Sequence, residues 1–191
     1  MSRKSVKGIV LAGGKSSRFG EDKATAKIEG VTLLERTVHL LRDLELEPIV
    51  ITSGSRDYSF LDCRIEKDVI PDQGPFGGLY TACRIFKNAS LLVLTCDMPG
   101  VTLASLNILL KHHEAQNQVT LFEIQGGWYQ PFPGIYESIL SELILERIKN
   151  RTFSLQDFLR GLPKVHVVSH NLDPKVLLNV NEKKDLTYRI L

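Results

Sequence analysis

The chain has 191 residues, which are enough for one well-buried core but too few for two. We therefore expect a single domain over residues 1–191. Hydrophobic residues make up 43% and charged residues 24% of the sequence, a balance that argues against a disordered or fibrous protein. A net charge of +2 gives no indication of nucleic-acid binding. No apolar run is long enough for a membrane span or a signal peptide, which predicts a cytoplasmic protein without a membrane partner.

A glycine-rich loop follows the first predicted strand, Gly8 to Leu11. Gly13 and Gly14 carry no side chain to hold a ligand away, so consecutive backbone N–H groups can surround an anion. The loop contains no Walker motif and no G-x-G-x-x-G triplet, and the missing triplet disfavours a dehydrogenase. Four cationic residues lie close behind the glycines, namely Lys15, Arg18, Lys23 and Lys27. This surplus of positive charge predicts a site for a polyphosphate.

Helical and strand periodicity alternate in the residues that follow the loop. The pattern predicts an amphipathic helix from Thr32 to Leu44, begun by a capping pair of Thr32 and Glu35, and a buried strand at residues 49–52. The remaining predicted elements are strands at 64–67, 90–96, 119–124, 128–136 and 164–169, and helices at 79–86, 102–114, 137–149, 154–159 and 182–189. The segment 69–78 is dense in proline and glycine and is predicted as a loop.

The predicted fold class is α/β, a three-layer α/β/α Rossmann-like fold. The strand at 90–96 is the most continuously apolar one, so we expect it at the centre of the sheet with both faces covered. Alternating strands and helices in the first half require crossover connections, which predict a mainly parallel sheet. The two strands that flank the turn at residues 125–127 predict an antiparallel addition in the second half.

Asp97 ends the predicted central strand. Open α/β sheets bind ligands beyond the carboxyl ends of their strands, and Mg²⁺ on a triphosphate needs only one or two protein carboxylates. Position alone leaves two readings of Asp97 open. It is either a magnesium ligand or a structural residue that caps the helix near Thr102 or hydrogen-bonds to the neighbouring loop. The histidines show no metal-ligand spacing, and His112 and His113 are interpreted as the solvated end of a helix. The three cysteines show no C-x-x-C spacing, so we expect them to be reduced and mostly buried.

The run L-A-G-G-x-S-x-R-F-G-x-D-K at residues 11–23 resembles the signature of the molybdenum cofactor guanylyltransferase (MobA-like) family. The runs G-P-F-G-G at 74–78 and T-C-D-M-P at 95–99 occur in that family's order. The resemblance covers essentially the whole chain and is strongest in residues 8–100. It implies a nucleotidyltransferase fold in which residues 1–100 bind the nucleotide and residues 101–191 bind the acceptor.

The resemblance also implies the roles of individual residues. Lys23, Arg18 and Asp97 are the expected catalytic residues, and Asp97 is the expected ligand of a Mg²⁺ cofactor. Asp68 is the expected guanine-side acid, since a carboxylate can accept from guanine donors that adenine lacks. Ser53 stands where the family commonly has asparagine, although a hydroxyl can still hydrogen-bond. The predicted nucleotide-binding residues are Leu11, Ala12, Gly13, Gly14, Lys23, Ser53, Asp68, Gly78 and Asp97.

Shorter matches lie in the second half of the chain. Asn179 and Asn181 resemble the family's asparagines at the pterin and metal side of the cleft, although Glu182, Lys183 and Lys184 replace the family's usual T-P-E. The asparagine at 181 could equally cap the following helix. Gln130 and Pro131 match an H-P or Q-P dipeptide that the family has on the acceptor side. The segment 150–154 is a candidate contact for the acceptor's phosphate.

The implied reaction transfers GMP from GTP to the phosphate of molybdopterin and releases pyrophosphate. The expected partners are GTP, molybdopterin as the molybdenum cofactor acceptor, and proteins that mature molybdoenzymes. Two alternatives stay open at this point. One is a related cytidylyltransferase or other NTP transferase with a different phosphorylated acceptor. The other is a non-catalytic GTP-binding module, which would bind the nucleotide without releasing pyrophosphate.

Overall fold

The structure is a computed structural model that describes residues 5–13, 22–54, 57–114, 116–124, 126–182 and 184–185. The strands are β1 (Val6–Leu11), β2 (Lys27–Ile28), β3 (Val31–Thr32), β4 (Pro48–Thr52), β5 (Arg64–Lys67), β6 (Ser90–Thr95), β7 (Val119–Ile124), β8 (Trp128–Glu137) and β9 (Val165–Val168). The α-helices are α1 (Leu33–Asp43), α2 (Pro75–Ile85), α3 (Leu103–His112), α4 (Ser141–Lys149) and α5 (Leu155–Arg160). Short 3₁₀ turns occur at Lys23–Thr25, Ser138–Leu140 and Pro174–Leu177.

Seven strands form one sheet in the order β5-β4-β1-β6-β8-β7-β9. The first four of these are parallel neighbours, β8 runs antiparallel to β6 and β7, and β9 is parallel to β7. Ile9 and Val10 of β1 are both fully buried. Because consecutive strand residues point to opposite faces, the sheet must be covered on both sides. The prediction of a three-layer α/β fold with an antiparallel addition is therefore confirmed.

The predicted capping pair at the start of α1 is also confirmed. The Thr32 hydroxyl accepts from the Glu35 amide at 3.1 Å, and the Glu35 carboxylate accepts from the Thr32 amide at 2.8 Å. The Thr32 hydroxyl also donates to the Glu35 carboxylate at 2.7 Å, and this bond together with the one from the Thr32 amide lowers the pKa of Glu35. A small hairpin of β2 and β3 precedes the helix, and its strands of two residues each are too short for a periodic signal.

The prediction of a loop up to residue 78 is wrong, because α2 begins at Pro75. Proline suits the first position of a helix, where no amide partner is needed, and Gly74 precedes it with a φ of 57°. Proline and glycine therefore mark a helix start here. The consequence is that Gly78 lies in the first turn of α2, close against β1.

The interpretation of His113 as a solvated residue is wrong, although His112 is exposed as expected. Only 8% of the His113 side chain is exposed, and its ring nitrogens lie 2.9 Å from Thr120 Oγ1 and 3.2 Å from Glu137 Oε1. The chain turns inward after α3, so His113 packs against β7 and β8.

Most of the predicted helix at 182–189 falls outside the described residues. No helix in the described part of the chain is long and apolar enough to cross a membrane.

Candidate active site

The sheet places a crevice beyond the carboxyl ends of β1 and β6. The chain builds β4 and β5 on one side of β1 and then crosses to β6 on the other side, so the strand order reverses between β1 and β6. This reversal is the usual ligand position in open α/β sheets. Leu11 and Thr95 are paired at the ends of the two strands, and Asp97 lies two residues beyond. Backbone topology therefore brings the glycine-rich loop and Asp97 to one place.

A cavity of about 450 Å³ occupies this crevice. Most of the predicted nucleotide-binding residues line the cavity, namely Leu11, Ala12, Gly13, Lys23, Asp68, Gly78 and Asp97. Two predicted site residues, Gly14 and Arg18, lie outside the described residues, as does Lys15. The roles of all these residues stay predictions, but the structure brings the seven that line the cavity together.

Ser53 does not line the cavity, and it lies instead behind the glycine-rich loop. A Cβ atom on Gly13 would lie 2.8 Å from Ser53 Oγ, so the loops after β1 and β4 are in direct contact. This close approach explains the need for glycine at position 13. Ser53, which stands where the family commonly has asparagine, therefore packs against Gly13 and does not line the cavity.

Lys23 and Asp97 form an ion pair in the cavity. Lys23 Nζ lies 3.4 Å from Asp97 Oδ2, with 17% and 23% of the two side chains exposed. Lys23 opens a 3₁₀ turn, and Asp22 caps that turn by accepting from the Ala24 amide at 3.1 Å. The turn holds the lysine backbone while the long side chain reaches across the crevice. This places a cation beside the predicted metal ligand.

The second oxygen of Asp97 fits a metal ion. Asp97 Oδ1 is buried and has no hydrogen-bond partner among the described residues, an arrangement that is costly unless a cation or water joins it. The helix-cap reading of Asp97 does not hold, because Thr102 itself caps α3 by accepting from the Ser105 amide at 3.2 Å. The described residues contain no cluster of three or more metal-binding side chains. A lone carboxylate suits Mg²⁺ that takes its other ligands from phosphate and water.

Asp68 lies at the end of β5, beside the start of α2. Burial raises the pKa of this carboxyl to about 6, and a hydrogen bond from Thr81 opposes the rise. Asp68 Oδ1 is buried and has no partner among the described residues. The close packing of α2 creates this environment, because a Cβ on Gly77 would lie 3.2 Å from Asp68 Oδ2. An acceptor of this kind can accept hydrogen bonds from a bound base.

The segment near residue 180 closes one side of the cavity. The Val180 amide donates to the Asp97 carbonyl at 2.7 Å, and the Val180 side chain is fully buried. These contacts hold the neighbouring Asn179 at the cavity wall. A second groove of about 1100 Å³ lies alongside, and it shares Asn179, Gln130 and Pro131 with the first. The two cavities are thus neighbours, separated by residues of the second half of the chain.

Asn181 lines the second groove, whereas residues 150–154 line neither this groove nor the first cavity. Asn150 lines a separate surface pocket with α4, and Ser154 caps α5 by accepting from the Asp157 amide at 3.2 Å. The partly buried Cys96 lines the cavity, but desolvation raises the pKa of its thiol to about 12, so the thiol stays protonated and is a poor nucleophile. Sequence reasoning also missed Tyr58, whose hydroxyl donates to Asp22 Oδ2 at 2.7 Å. No local pattern marks this residue, because the contact spans 36 positions.

The matching family model and the similar curated proteins agree on one family. The model of the MobA-like NTP transferase domain matches residues 8–167. A probable molybdenum cofactor guanylyltransferase of Thermococcus sibiricus is 31% identical over 187 residues, which cover 94% of each chain. Another protein of that name, from Carboxydothermus hydrogenoformans, is 29% identical over 182 residues, 92% of this chain and 90% of the relative. The crystal structure of molybdopterin-guanine dinucleotide biosynthesis protein A from Archaeoglobus fulgidus has the same fold, with a TM-score of 0.81, 20% identity and 96% of each chain covered.

Proposed function

Since this chain belongs to the MobA-like NTP transferase family, as its motifs predict, we propose that it transfers GMP from GTP to the phosphate of molybdopterin. The products are pyrophosphate and the guanine dinucleotide form of the cofactor. The observation that carries the proposal is the ion pair of Lys23 and Asp97, 3.4 Å apart in a cavity that Gly13 and Asp68 also line. The reaction is proposed to occur in the cytoplasm, where three unpaired cysteines suit a reducing environment.

The nucleotide is proposed to bind with its triphosphate beside Gly13 and Lys23. The Lys23 ammonium would neutralise charge that grows on the leaving pyrophosphate. The Asp68 carboxylate would accept from the N1–H and the amino group of guanine. Gly78 and Leu11 complete this side of the cavity. Each of these groups is held by the fold before the nucleotide arrives, which lowers the cost of ordering the site.

Asp97 is proposed to hold Mg²⁺ through Oδ1, since Lys23 already occupies Oδ2. When bound, the ion supplies charge neutralisation at the phosphates. The protein's own contribution is to keep this carboxylate in place, and the hydrogen bond from the Val180 amide to the Asp97 carbonyl does so at 2.7 Å.

The acceptor is proposed to lie in the second groove, which adjoins the cavity at Gln130 and Asn179. An oxygen of the molybdopterin phosphate would attack the α-phosphorus of GTP in line, and the bond to pyrophosphate would break. A deprotonated phosphate is already a nucleophile, so positioning replaces a general base. Proteins that mature molybdoenzymes are the proposed recipients of the product.

The alternative activities differ in their base and their products. A cytidylyltransferase would have to place cytosine beside Asp68, and cytosine lacks the paired donors that suit this carboxylate. Membership of a transferase family disfavours a non-catalytic GTP-binding module.

Thermal stabilisation by each NTP in turn, with Mg²⁺, tests the base, and we expect GTP to raise the Tm most. Pyrophosphate release from GTP that depends on added molybdopterin tests the reaction. Preference for CTP, or GTP binding without pyrophosphate release, would contradict the proposal.

A further inference from the structure

Tyr58 occupies a rigid turn between β4 and β5. Its side chain is 1% exposed, and its carbonyl accepts from the Leu61 amide at 2.9 Å. Asp57 strengthens the turn by accepting from the Ser59 amide at 2.8 Å. The ring of Phe60 meets the Tyr58 ring edge to face at a centroid distance of 6.2 Å. The aromatic ring is therefore buried in the core, and its hydroxyl is directed at a polar partner.

That partner is Asp22, which precedes the proposed phosphate lysine. The Tyr58 hydroxyl lies 2.7 Å from Asp22 Oδ2, while Asp22 Oδ1 accepts from the Ala24 amide at 3.1 Å. Asp22 also accepts through its carbonyl from the Thr25 hydroxyl at 2.9 Å. One aspartate thus joins the Tyr58 turn to the 3₁₀ turn that starts at Lys23. The Ala24 side chain is buried, so this turn is fixed on its inner side as well.

We infer that Tyr58 is a positioning residue that acts through Asp22 to place Lys23 in the active site. The inference rests on the proposed function, because it assigns Lys23 to the phosphates. A lysine side chain has several rotatable bonds, so its ammonium is placed accurately only if its backbone is fixed. The hydrogen bond from Tyr58 supplies such a fixed point from a distant loop. Tyr58 itself does not line the cavity and is assigned no contact with the substrate.

The bond also joins two parts of the proposed nucleotide site. Tyr58 follows Ser53 on the same connection between β4 and β5, and Ser53 Oγ lies behind Gly13. The connection after β4 therefore contacts Gly13 through Ser53 and the Lys23 turn through Tyr58. Loss of the hydroxyl would loosen the second contact without moving the first.

The test is Tyr58→Phe, which keeps the aromatic ring and removes only the hydroxyl. We expect kcat for pyrophosphate release to fall about tenfold, because the Lys23 ammonium is placed less accurately where charge develops. The KM for GTP should change less than about threefold, because the ammonium is still present and still contacts the bound phosphates. Thr37→Val is the matched control, because it removes a buried hydroxyl that donates to the Leu33 carbonyl at 2.9 Å within α1. Both variants should lose a few degrees in Tm, roughly alike, but Thr37→Val should keep the wild-type kcat.

A double-mutant cycle separates positioning from a general effect on stability. If Tyr58 acts through Lys23, then Tyr58→Phe in a Lys23→Ala background should cause no further loss of kcat. Full additivity, or a wild-type kcat in Tyr58→Phe alone, would overturn the inference. Amide hydrogen exchange of residues 22–26 gives a readout that needs no turnover, and faster exchange in Tyr58→Phe is expected. Unchanged exchange there would also overturn it, whereas an inactive wild-type enzyme would count against the proposed function alone.

Discussion

The carboxyl of Asp68 should make GTP binding depend on pH and on this one side chain. Only the ionised carboxylate can accept from both guanine donors, and burial raises its pKa from 3.8 to about 6 in the empty protein. GTP affinity in the wild type should therefore rise as the pH rises through about 6. Asp68→Asn should abolish this part of the dependence, since an amide does not titrate.

The size of the effect follows from the fraction of Asp68 that is ionised. A carboxyl with a pKa near 6 is about one tenth ionised at pH 5 and about nine tenths ionised at pH 7. Apparent affinity falls in proportion to the competent fraction, so the Kd for GTP should be about tenfold higher at pH 5 than at pH 7. In Asp68→Asn the side-chain amide has one acceptor oxygen, and its NH2 group faces the donors of guanine. At pH 7 this substitution should therefore weaken GTP binding about 10- to 100-fold.

Isothermal titration calorimetry of wild type and Asp68→Asn between pH 5 and pH 8, with Mg²⁺, measures both effects. The terminal phosphate of GTP also titrates in this range, but it contributes equally to both proteins, so the difference between the two profiles isolates Asp68. The pKa of Asp68 is higher in the folded protein, about 6, than its ordinary value of 3.8, so the folded state holds this proton more tightly. The stability that Asp68 contributes is therefore fully present below pH 3.8 and is lost as the pH rises through about 6. Parallel binding profiles for the two proteins would refute the role of Asp68 as a base acceptor.

Three further substitutions probe the phosphate side and the packing of the cavity. Lys23→Ala should raise the Kd for GTP about tenfold, because a charge-assisted contact to phosphate is lost, and an unchanged Kd by calorimetry would contradict that role. Asp97→Asn should abolish Mg²⁺-dependent pyrophosphate release while circular dichroism stays native, and retained turnover would remove Asp97 from the reaction. Gly77→Ala should lower the free energy of unfolding by about 1–3 kcal/mol in denaturant titrations, because its Cβ would lie 2.8 Å from the backbone oxygen of Ile70. A wild-type unfolding midpoint in that variant would show that the backbone at Ile70 can move aside freely.

Elements with a complete local signal could be predicted from the sequence. Helix α1 has both an apolar stripe and its capping pair, and β6 has a continuous apolar run at residues 91–94 and ends at Thr95, two residues before Asp97. The rule that ligands gather at the carboxyl ends of parallel strands then brings Lys23 and Asp97 together before any coordinates are known. The general position of the site therefore follows from strand order and from one motif.

Features that depend on tertiary packing could not be predicted in this way. Tyr58 lies on an irregular connection, and only the folded chain brings its hydroxyl to Asp22. His113 looks solvated at the end of a helix until β7 and β8 pack against it. The start of α2 was missed for a different reason, since Pro75 and its neighbouring glycines favour a loop as strongly as a helix start. Each miss comes from a contact between distant segments or from an ambiguous local signal.

The most direct measurement of the central claim is a crystal structure of the protein with GTP and Mg²⁺. The account predicts a triphosphate beside Gly13 and the Lys23 ammonium, the metal ion on Asp97 Oδ1, and guanine hydrogen-bonded to Asp68. A nucleotide bound outside the crevice between β1 and β6, or a metal ion away from Asp97, would contradict it.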